Sequence, residues 1–560
     1  MSVRSEDSRD PALLRVARAH GLLTEHENGM GVRCFPSEAA IIAVLRGLGV
    51  DPDRPSDAQP RSPVAGPPKR FWRDERRRLG IFAPLYAIRS MRSAGVGGLE
   101  DLGRLCEWAG GLGVSLVSTL PLLSGRYATP IDGCPYAPLS RSVFSELFLD
   151  LWDVMTPTER EESARLTASP MIDYEASWQL KRGVLAREST AADPVAIETL
   201  LDADPLVAQY VRWRAEHEGG GPDAERLYGF AQLRLHEQLS ALRSRAEAAG
   251  CGLYLDLPVG VTANGFDVHR TPDAYAKGIA VGAPPDAYFP EGQVWGFPPM
   301  LPEHARLSGH GELIEATRRH LRYASTLRLD HVMGLWRLYW VPEGHGADDG
   351  VYVQYDAGGA LDAMAELSQE HEALFIGENL GTVPPEVDAA MIDRGLVGMT
   401  AAQYDGGDQA MAPGAAKPDL IAAPNTHDMP TFAGYLAGRD IDLRRSLRLL
   451  DASGAAFDHR IRSAAVKALH ERLSVRDEAG LFDALVDRLC ASPAPIVMVA
   501  LEDLWAETEP QNIPGVSEGY PCWRRPMRWT LEEVIADDSI AARLRGWASG
   551  IGQRSGAGAS

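Results

Sequence analysis

Short apolar runs that each end in an acidic residue constrain this chain most strongly. Leu327-Arg-Leu leads to Asp330, Ala373-Leu-Phe-Ile-Gly to Glu378, and Leu420-Ile-Ala-Ala-Pro-Asn-Thr-His to Asp428. Gly252-Leu-Tyr-Leu leads to Asp256, and Ile496-Val-Met-Val-Ala-Leu to Glu502 and Asp503. Such runs, bounded by turn-forming residues, read as buried strands. The intervals between positions 330, 378 and 428 each leave room for a strand, a helix and loops. Strand, helix, strand is the signature of a parallel sheet. Acids at the C-terminal ends of such strands predict a (β/α)8 barrel with its site on that rim.

The remainder of the chain decorates this barrel. Residues 11 to 50 predict a small helical unit, with one apolar face on Leu13, Leu14 and Val16 and another on Ile41, Ile42, Val44 and Leu45. Prolines at 52, 55, 60, 63, 67 and 68 among small polar residues predict a linker. The barrel then begins, with strands over 80–86 and 114–120 and a helix over 99–112. A helical insertion is expected over about 145–250, ending in an amphipathic helix from 227 to 248. Residues 259–302 read as loop-rich, and helices are expected at 312–323 and 361–371. The expected organisation is a helical extension with linker at 1–68, a catalytic barrel at 69–545 and a flexible tail at 546–560.

Composition narrows the function. The formal net charge of −21 argues against a nucleic-acid surface. Twelve Trp and sixteen Tyr suit a neutral ligand with apolar faces, such as a sugar. The six cysteines are scattered with no C-x-x-C pair, and the polar, acidic start is unlike a signal peptide. No apolar run approaches a membrane span. A reduced, cytoplasmic protein is expected.

Clustered buried carboxylates repel, so a job or a cation must justify them. In a metal site, His331 and His427 would join Asp330 and Asp428, but none of the 14 histidines forms the closely spaced His-x-His pair usual in barrels. No metal or cofactor is expected. Glycosidic chemistry uses every member: one carboxylate as nucleophile, one carboxylic acid as proton donor. Arg328 and Asp330 alternate onto one face of their strand. That is either a structural ion pair or a guanidinium holding a nucleophile ionised, and the other strand ends favour the second. Glu378 follows an apolar run that would keep it protonated. Asp428, with His427 beside it, would stabilise positive charge on the sugar.

The motifs resemble those of the 4-α-glucanotransferases (amylomaltases, or disproportionating enzymes). Leu327-Arg-Leu-Asp-His-Val-Met-Gly is similar to the family's nucleophile motif, Ile376-Gly-Glu-Asn-Leu-Gly-Thr-Val-Pro to its acid/base motif, and Asn425-Thr-His-Asp-Met-Pro-Thr to its third-carboxylate motif. Val281-Gly-Ala-Pro-Pro-Asp286 through Trp295-Gly-Phe-Pro-Pro resembles the lid segment over the cleft. Cys134-Pro-Tyr136 stands where the family usually has Ser-Pro-Tyr, and Asn512-Ile-Pro-Gly515 with Trp523-Arg524 resembles the last barrel segment. The resemblance spans about residues 70 to 530. Asn379 departs from the Asp that often follows the catalytic Glu, and Gly95-Val-Gly-Gly98 is a loosened form of an N-terminal barrel motif.

The resemblance implies a retaining transferase acting on α-1,4-glucan oligosaccharides and glucose. Asp330, Glu378 and Asp428 would be catalytic, and Tyr136, Asp256, Trp295, Arg328, His427 and Asn512 would contact sugar. An α-glucan hydrolase with the same residues and a non-catalytic glucan-binding protein are the alternatives. Neither nucleic acid nor membrane is an expected partner, and the expected state is a monomer or homodimer.

Overall fold

The computed structural model describes residues 9–52, 67–127, 133–403, 417–516 and 518–555. Eight parallel strands form the central sheet: Arg78–Phe82, Leu116–Ser118, Gly252–Leu257, Thr326–Leu329, Leu374–Gly377, Gly398–Ala401, Leu420–Ala423 and Ile496–Ala500. Neighbours follow chain order, and the eighth strand pairs with the first, Met498 beside Gly80. The fifth and sixth meet through one parallel bridge, Ile376 to Val397, where the Gly377 N–H donates to Val397 O at 2.8 Å. The sheet is thereby closed into the expected (β/α)8 barrel.

Period-two alternation explains why these segments are strands. Leu253, Leu255, Leu257, Leu327, Leu329, Phe375, Val497 and Val499 join the large core under the helices. Tyr254, Leu374, Ile376, Ile421, Ile496 and Met498 share a separate core inside the barrel. Both faces are apolar, so the strands read as continuous apolar runs. Gly80 has a steric reason: a Cβ there would lie 2.6 Å from the Met498 methyl inside the barrel.

The expected strand over 80–86 ends earlier, at Phe82, because Pro84 starts a tight turn over Leu85–Ala87. The helical insertion lies between the second and third strands and includes Pro157–Thr167, Tyr174–Ala191, Pro194–Ala203, Pro205–His217 and Pro222–Ala248. The expected tail from 546 needs correction. One helix runs Asp538–Ser555, and Trp547 and Ile551 on it are buried; positions 556–560 fall outside the described residues, as do 53–66 of the expected linker. Among the described residues no helix is long and apolar enough to cross a membrane.

A second sheet is antiparallel and was not expected in the loop-rich stretch. Its strands are Val351–Gln354, Arg337–Pro342, Ile279–Ala283 and Gln293–Val294, in that order. The N-terminal helices Pro11–Ala19 and Glu38–Gly47 pack on it. Leu13, Ala17, Ile41, Val44 and Leu45 share one core with Val281, Trp340, Val351 and Val353. Main-chain bonds of 2.9 Å from Leu23 N to Tyr352 O and from Gln354 N to Gly21 O fix the register. Ser37 also donates from N and Oγ to Asp349 at 2.8 and 2.6 Å.

Truncating fully buried Ile41 to Ala is expected to weaken this docking by about 2–5 kcal/mol. Amide exchange should then quicken in Arg337–Pro342 and Val351–Gln354 and stay unchanged in Ile496–Ala500. Equal quickening in all three segments would contradict a docked, separable unit.

Candidate active site

The barrel ladder sets the register of the site. Asp256 lies beside Arg328, and Arg328 beside Ile376, on three adjacent strands. Their side chains point into the mouth of the barrel, where the inward series turns polar. Asp330 donates its N–H to Leu257 O, and Glu378 donates its N–H to Leu329 O, both at 3.0 Å. The backbone therefore places Asp330 and Glu378 at neighbouring strand ends without help from their side chains.

Arg328, only 7% exposed, is the cation among these acids. Its Nη1 lies 2.8 Å from both oxygens of Asp256 and 2.9 Å from Asp330 Oδ1. Tyr136 OH donates to Asp256 Oδ2 at 2.6 Å. Burial drives the Asp330 carboxyl up to about 6, because the nearby anions Asp256 and Glu378 add to desolvation and Arg328 offsets only part of it. Arg328 does lower the Asp330 carboxyl, in the direction expected of a guanidinium beside a nucleophile, and it is shared with Asp256. Burial also raises Glu378, against the lowering pull of Arg328 and of two backbone donors. That direction agrees with a proton donor.

One of those donors comes from a strained turn. His331 has φ +46°, an uncommon value for a residue with a side chain. The turn aims the His331 N–H at Glu378 Oε2, 3.0 Å away, while the Leu380 N–H meets Oε1 at 2.6 Å. Asn379, the departure from the family pattern, bridges elements instead: Nδ2 donates to Asp388 at 2.8 Å and Oδ1 accepts from Met399 N at 2.8 Å.

Asp428 stands on the loop after the seventh strand. His427 Nε2 lies 3.2 Å from Oδ2, and Asn512 Nδ2 donates to Oδ1 at 2.8 Å. Burial in the cleft pushes this carboxyl up, but His427 and Asn512 outweigh it and hold it below the usual range. His427 stacks on Tyr136 at 5.2 Å, which links the third carboxylate to the Tyr136–Asp256–Arg328 group. Trp295 stands apart from the carboxylates, edge-on to the His331 ring at 5.2 Å and stacked on Phe297. The nine expected residues thus gather on one rim, Trp295 at its lid side.

Two buried acids outside that set hold the loops. Asp503 accepts from Asn425 Nδ2 at 2.8 Å and from Phe432 N at 2.7 Å, so it ties both ends of the loop that carries His427 and Asp428. Asp267 accepts from Ser140 Oγ at 2.6 Å and Arg141 N at 2.9 Å, fixing the segment after Tyr136. Asp503 carried a sequence signal as the acid ending the eighth strand; Asp267 carried none. A pocket of about 80 Å³ opens among Asp256, Arg328, Asn425 and His427, over Tyr254, Met399 and Met498.

The raised Asp330 has a stability consequence. Its folded value of about 6 exceeds the ordinary 3.8, so the native state binds more protons than the unfolded chain between these values. Stability contributed by this group falls as the pH rises through that window. Asp330→Asn is expected to be more stable than the parent at pH 7 by about 1–3 kcal/mol, with the gap closing near pH 4. Thermal unfolding of both proteins at the two pH values checks this, and an Asn variant less stable at pH 7 would contradict it.

The family profile described as 4-alpha-glucanotransferase matches residues 83–218 and 212–532. The 4-alpha-glucanotransferase of Mycobacterium tuberculosis is 31% identical over 538 residues, covering 83% of this chain and 74% of that protein. That of Haemophilus influenzae is 28% identical over 539 residues, covering 82% and 77%. In three dimensions the chain superposes on amylomaltase from Corynebacterium glutamicum with a TM-score of 0.85 at 21% identity, over 96% of this chain and 99% of the other. Amylomaltase from Streptococcus agalactiae, solved with acarbose, gives 0.71 at 16% identity, over 85% and 99%. Those two likenesses establish the barrel and its decorations; the profile and the Mycobacterium relative establish kinship. The chain belongs to the 4-alpha-glucanotransferase family and is a glucan transglycosylase.

Proposed function

We propose that the enzyme transfers α-1,4-glucan segments between maltodextrins, or to glucose, by double displacement through a covalent glycosyl-Asp330. The observation that carries this reading is the rim geometry. One guanidinium is shared by Asp256 and Asp330, and Glu378, at the end of the next strand, is oriented by the N–H groups of His331 and Leu380. Asp330 attacks the anomeric carbon of the donor chain while Glu378 protonates the departing glycosidic oxygen. Glu378, now charged, then takes the proton of the acceptor 4-hydroxyl as that oxygen displaces Asp330. Two inversions at one carbon retain the α configuration.

The surrounding side chains bind and orient sugar. Asp428, kept ionised by His427 and Asn512, accepts hydrogen bonds from sugar hydroxyls and opposes the positive charge of the oxocarbenium-like transition state. Tyr136 and Trp295 offer faces for pyranose rings. Asp256 and Arg328 hold each other and are within reach of a bound ring. The scheme needs no cofactor or metal. A cytoplasmic site of action fits six cysteines that form no disulfide among the described residues.

Incubation with maltotriose alone is expected to yield glucose and a ladder of longer dextrins, resolved by chromatography; only shorter sugars would mean hydrolysis. Asp330→Asn should abolish turnover while the circular dichroism stays native, and near-normal turnover would exclude this nucleophile. Glu378→Gln should slow transfer from maltodextrins by about 10²–10⁴-fold. The loss in that variant should shrink for a glucosyl fluoride donor, whose leaving group needs no proton. An equal loss on both donors would deny Glu378 the acid role.

A further inference from the structure

The N-terminal unit takes no part in this chemistry, yet its hairpin stands at the edge of the cleft. His26–Glu27 and Arg33–Cys34 pair antiparallel. The turn between them is rigid: the side chain of buried Asn28 accepts the Met30 and Val32 N–H groups at 3.0 Å each. At the tip, Gly29 touches two loops of the active site. Its N–H donates to Pro285 O of the lid loop at 3.0 Å. A Cβ on Gly29 would lie 2.4 Å from Asp286 Cβ and 3.3 Å from Thr382 Oγ1. Thr382 follows closely on Leu380, whose N–H holds Glu378. The tip is therefore wedged between the lid and the loop that carries the acid/base.

This position leaves apolar side chains in water. Met30 and Val32 are 44% and 48% exposed, and Val294, beside Trp295 on the lid strand, is 53% exposed. Nothing lies within 4 Å of a Cβ built on Gly31, so the outer side of the tip is open. The Asn28 bonds hold these residues in place, and the shared core with the antiparallel sheet anchors the unit behind them. A surface already ordered loses little entropy when a ligand covers it.

We propose that the hairpin tip, Asn28–Val32, is an outer acceptor subsite for α-1,4-glucans. Met30 and Val32 pack against the C–H face of a glucosyl unit some distance beyond the reacting bond. The direction follows from the chemistry, and the assignment rests on Glu378 being the acid/base. That group protonates the departing sugar and deprotonates the incoming one, so both chains extend from the reacting bond on its side of the cleft. The loop after Glu378 and the tip wedged against it border that side. A glucose acceptor is too short to reach the tip, and a long dextrin is not.

The test uses the full chain with Met30→Ser and Val32→Ser combined, a fixed donor, and glucose, maltotriose and maltoheptaose as acceptors. The ratio of KM for maltoheptaose to KM for glucose is expected to rise about fivefold, and the product ladder to shorten. Met30→Trp, which adds a stacking face, should move the ratio the other way. An unchanged ratio in both variants, or KM values that shift equally for all acceptors, overturns the subsite. Failure of the Glu378 assignment would appear separately, as a Glu378→Gln enzyme with near-parent rates.

Discussion

One buried guanidinium organises the catalytic rim. Arg328 stands between Asp256 and Asp330, within 2.9 Å of each, and is almost fully enclosed. Burying an ion is costly, and removing one partner leaves the other uncompensated. Without Arg328, two carboxylates would face each other beside a third, Glu378. Even with it, Asp330 is driven up to about 6 by burial and its anionic neighbours. The rim is thus a strained assembly of charge, held by a barrel whose register admits no shift. A one-residue slip of the fourth strand would turn Arg328 toward the helices and Leu327 or Leu329 into the mouth.

The strands and their terminal acids were legible because both faces of a parallel barrel strand are buried, which writes a continuous apolar run into the sequence. The acid marks where the apolar run gives way to polar side chains at the barrel mouth. The antiparallel sheet was hidden for the opposite reason. Its strands are short, Gln293–Val294 only two residues long, and its partners are distant in sequence, with Val281 opposite Trp340 and Tyr339 opposite Tyr352. The pairing of Arg337–Pro342 with strands on either side could not be read from local pattern. The N-terminal helices were legible as amphipathic units, and what they cover was not, since an apolar face does not name its partner. Asp267 and the shared charge of Arg328 lay beyond reach because they depend on contacts between distant loops.

Rigid and adaptable parts of the site divide accordingly. Asp503 fixes both ends of the loop bearing His427 and Asp428, and Asp267 fixes the segment after Tyr136. Each acid uses backbone and side-chain donors together, so a loop is held at two points by one buried carboxylate. These clamps hold His427, Asp428 and the segment after Tyr136 in place through protein contacts alone, the kind of preorganisation that the proposed chemistry requires. On the lid side Asp286 Oδ1 accepts the Tyr288 and Phe289 N–H groups at 2.7 and 2.6 Å, while Trp295 Nε1 donates to Gln293 Oε1, two residues away, at 3.2 Å.

The lid reaches across the cleft. A Cβ on Gly515, in the loop after the eighth strand, would lie 2.6 Å from the Phe289 ring, and Gly515 has φ +77°. Arg444, in the helix Arg439–Ser446, lies over the Tyr288 ring at 5.6 Å. The lid loop thus touches the far rim through Phe289 and Tyr288 and the N-terminal hairpin through Pro285. A transglycosylase must let a sugar hydroxyl reach the glycosyl-enzyme before water does, although water is far more abundant. A loop held on both sides, by ring contacts at Phe289 and Tyr288 and by a main-chain bond at Pro285, is placed to restrict water at the cleft. The N-terminal unit, packed behind the antiparallel sheet, meets this loop through Gly29 and Pro285 and lies away from Asp330.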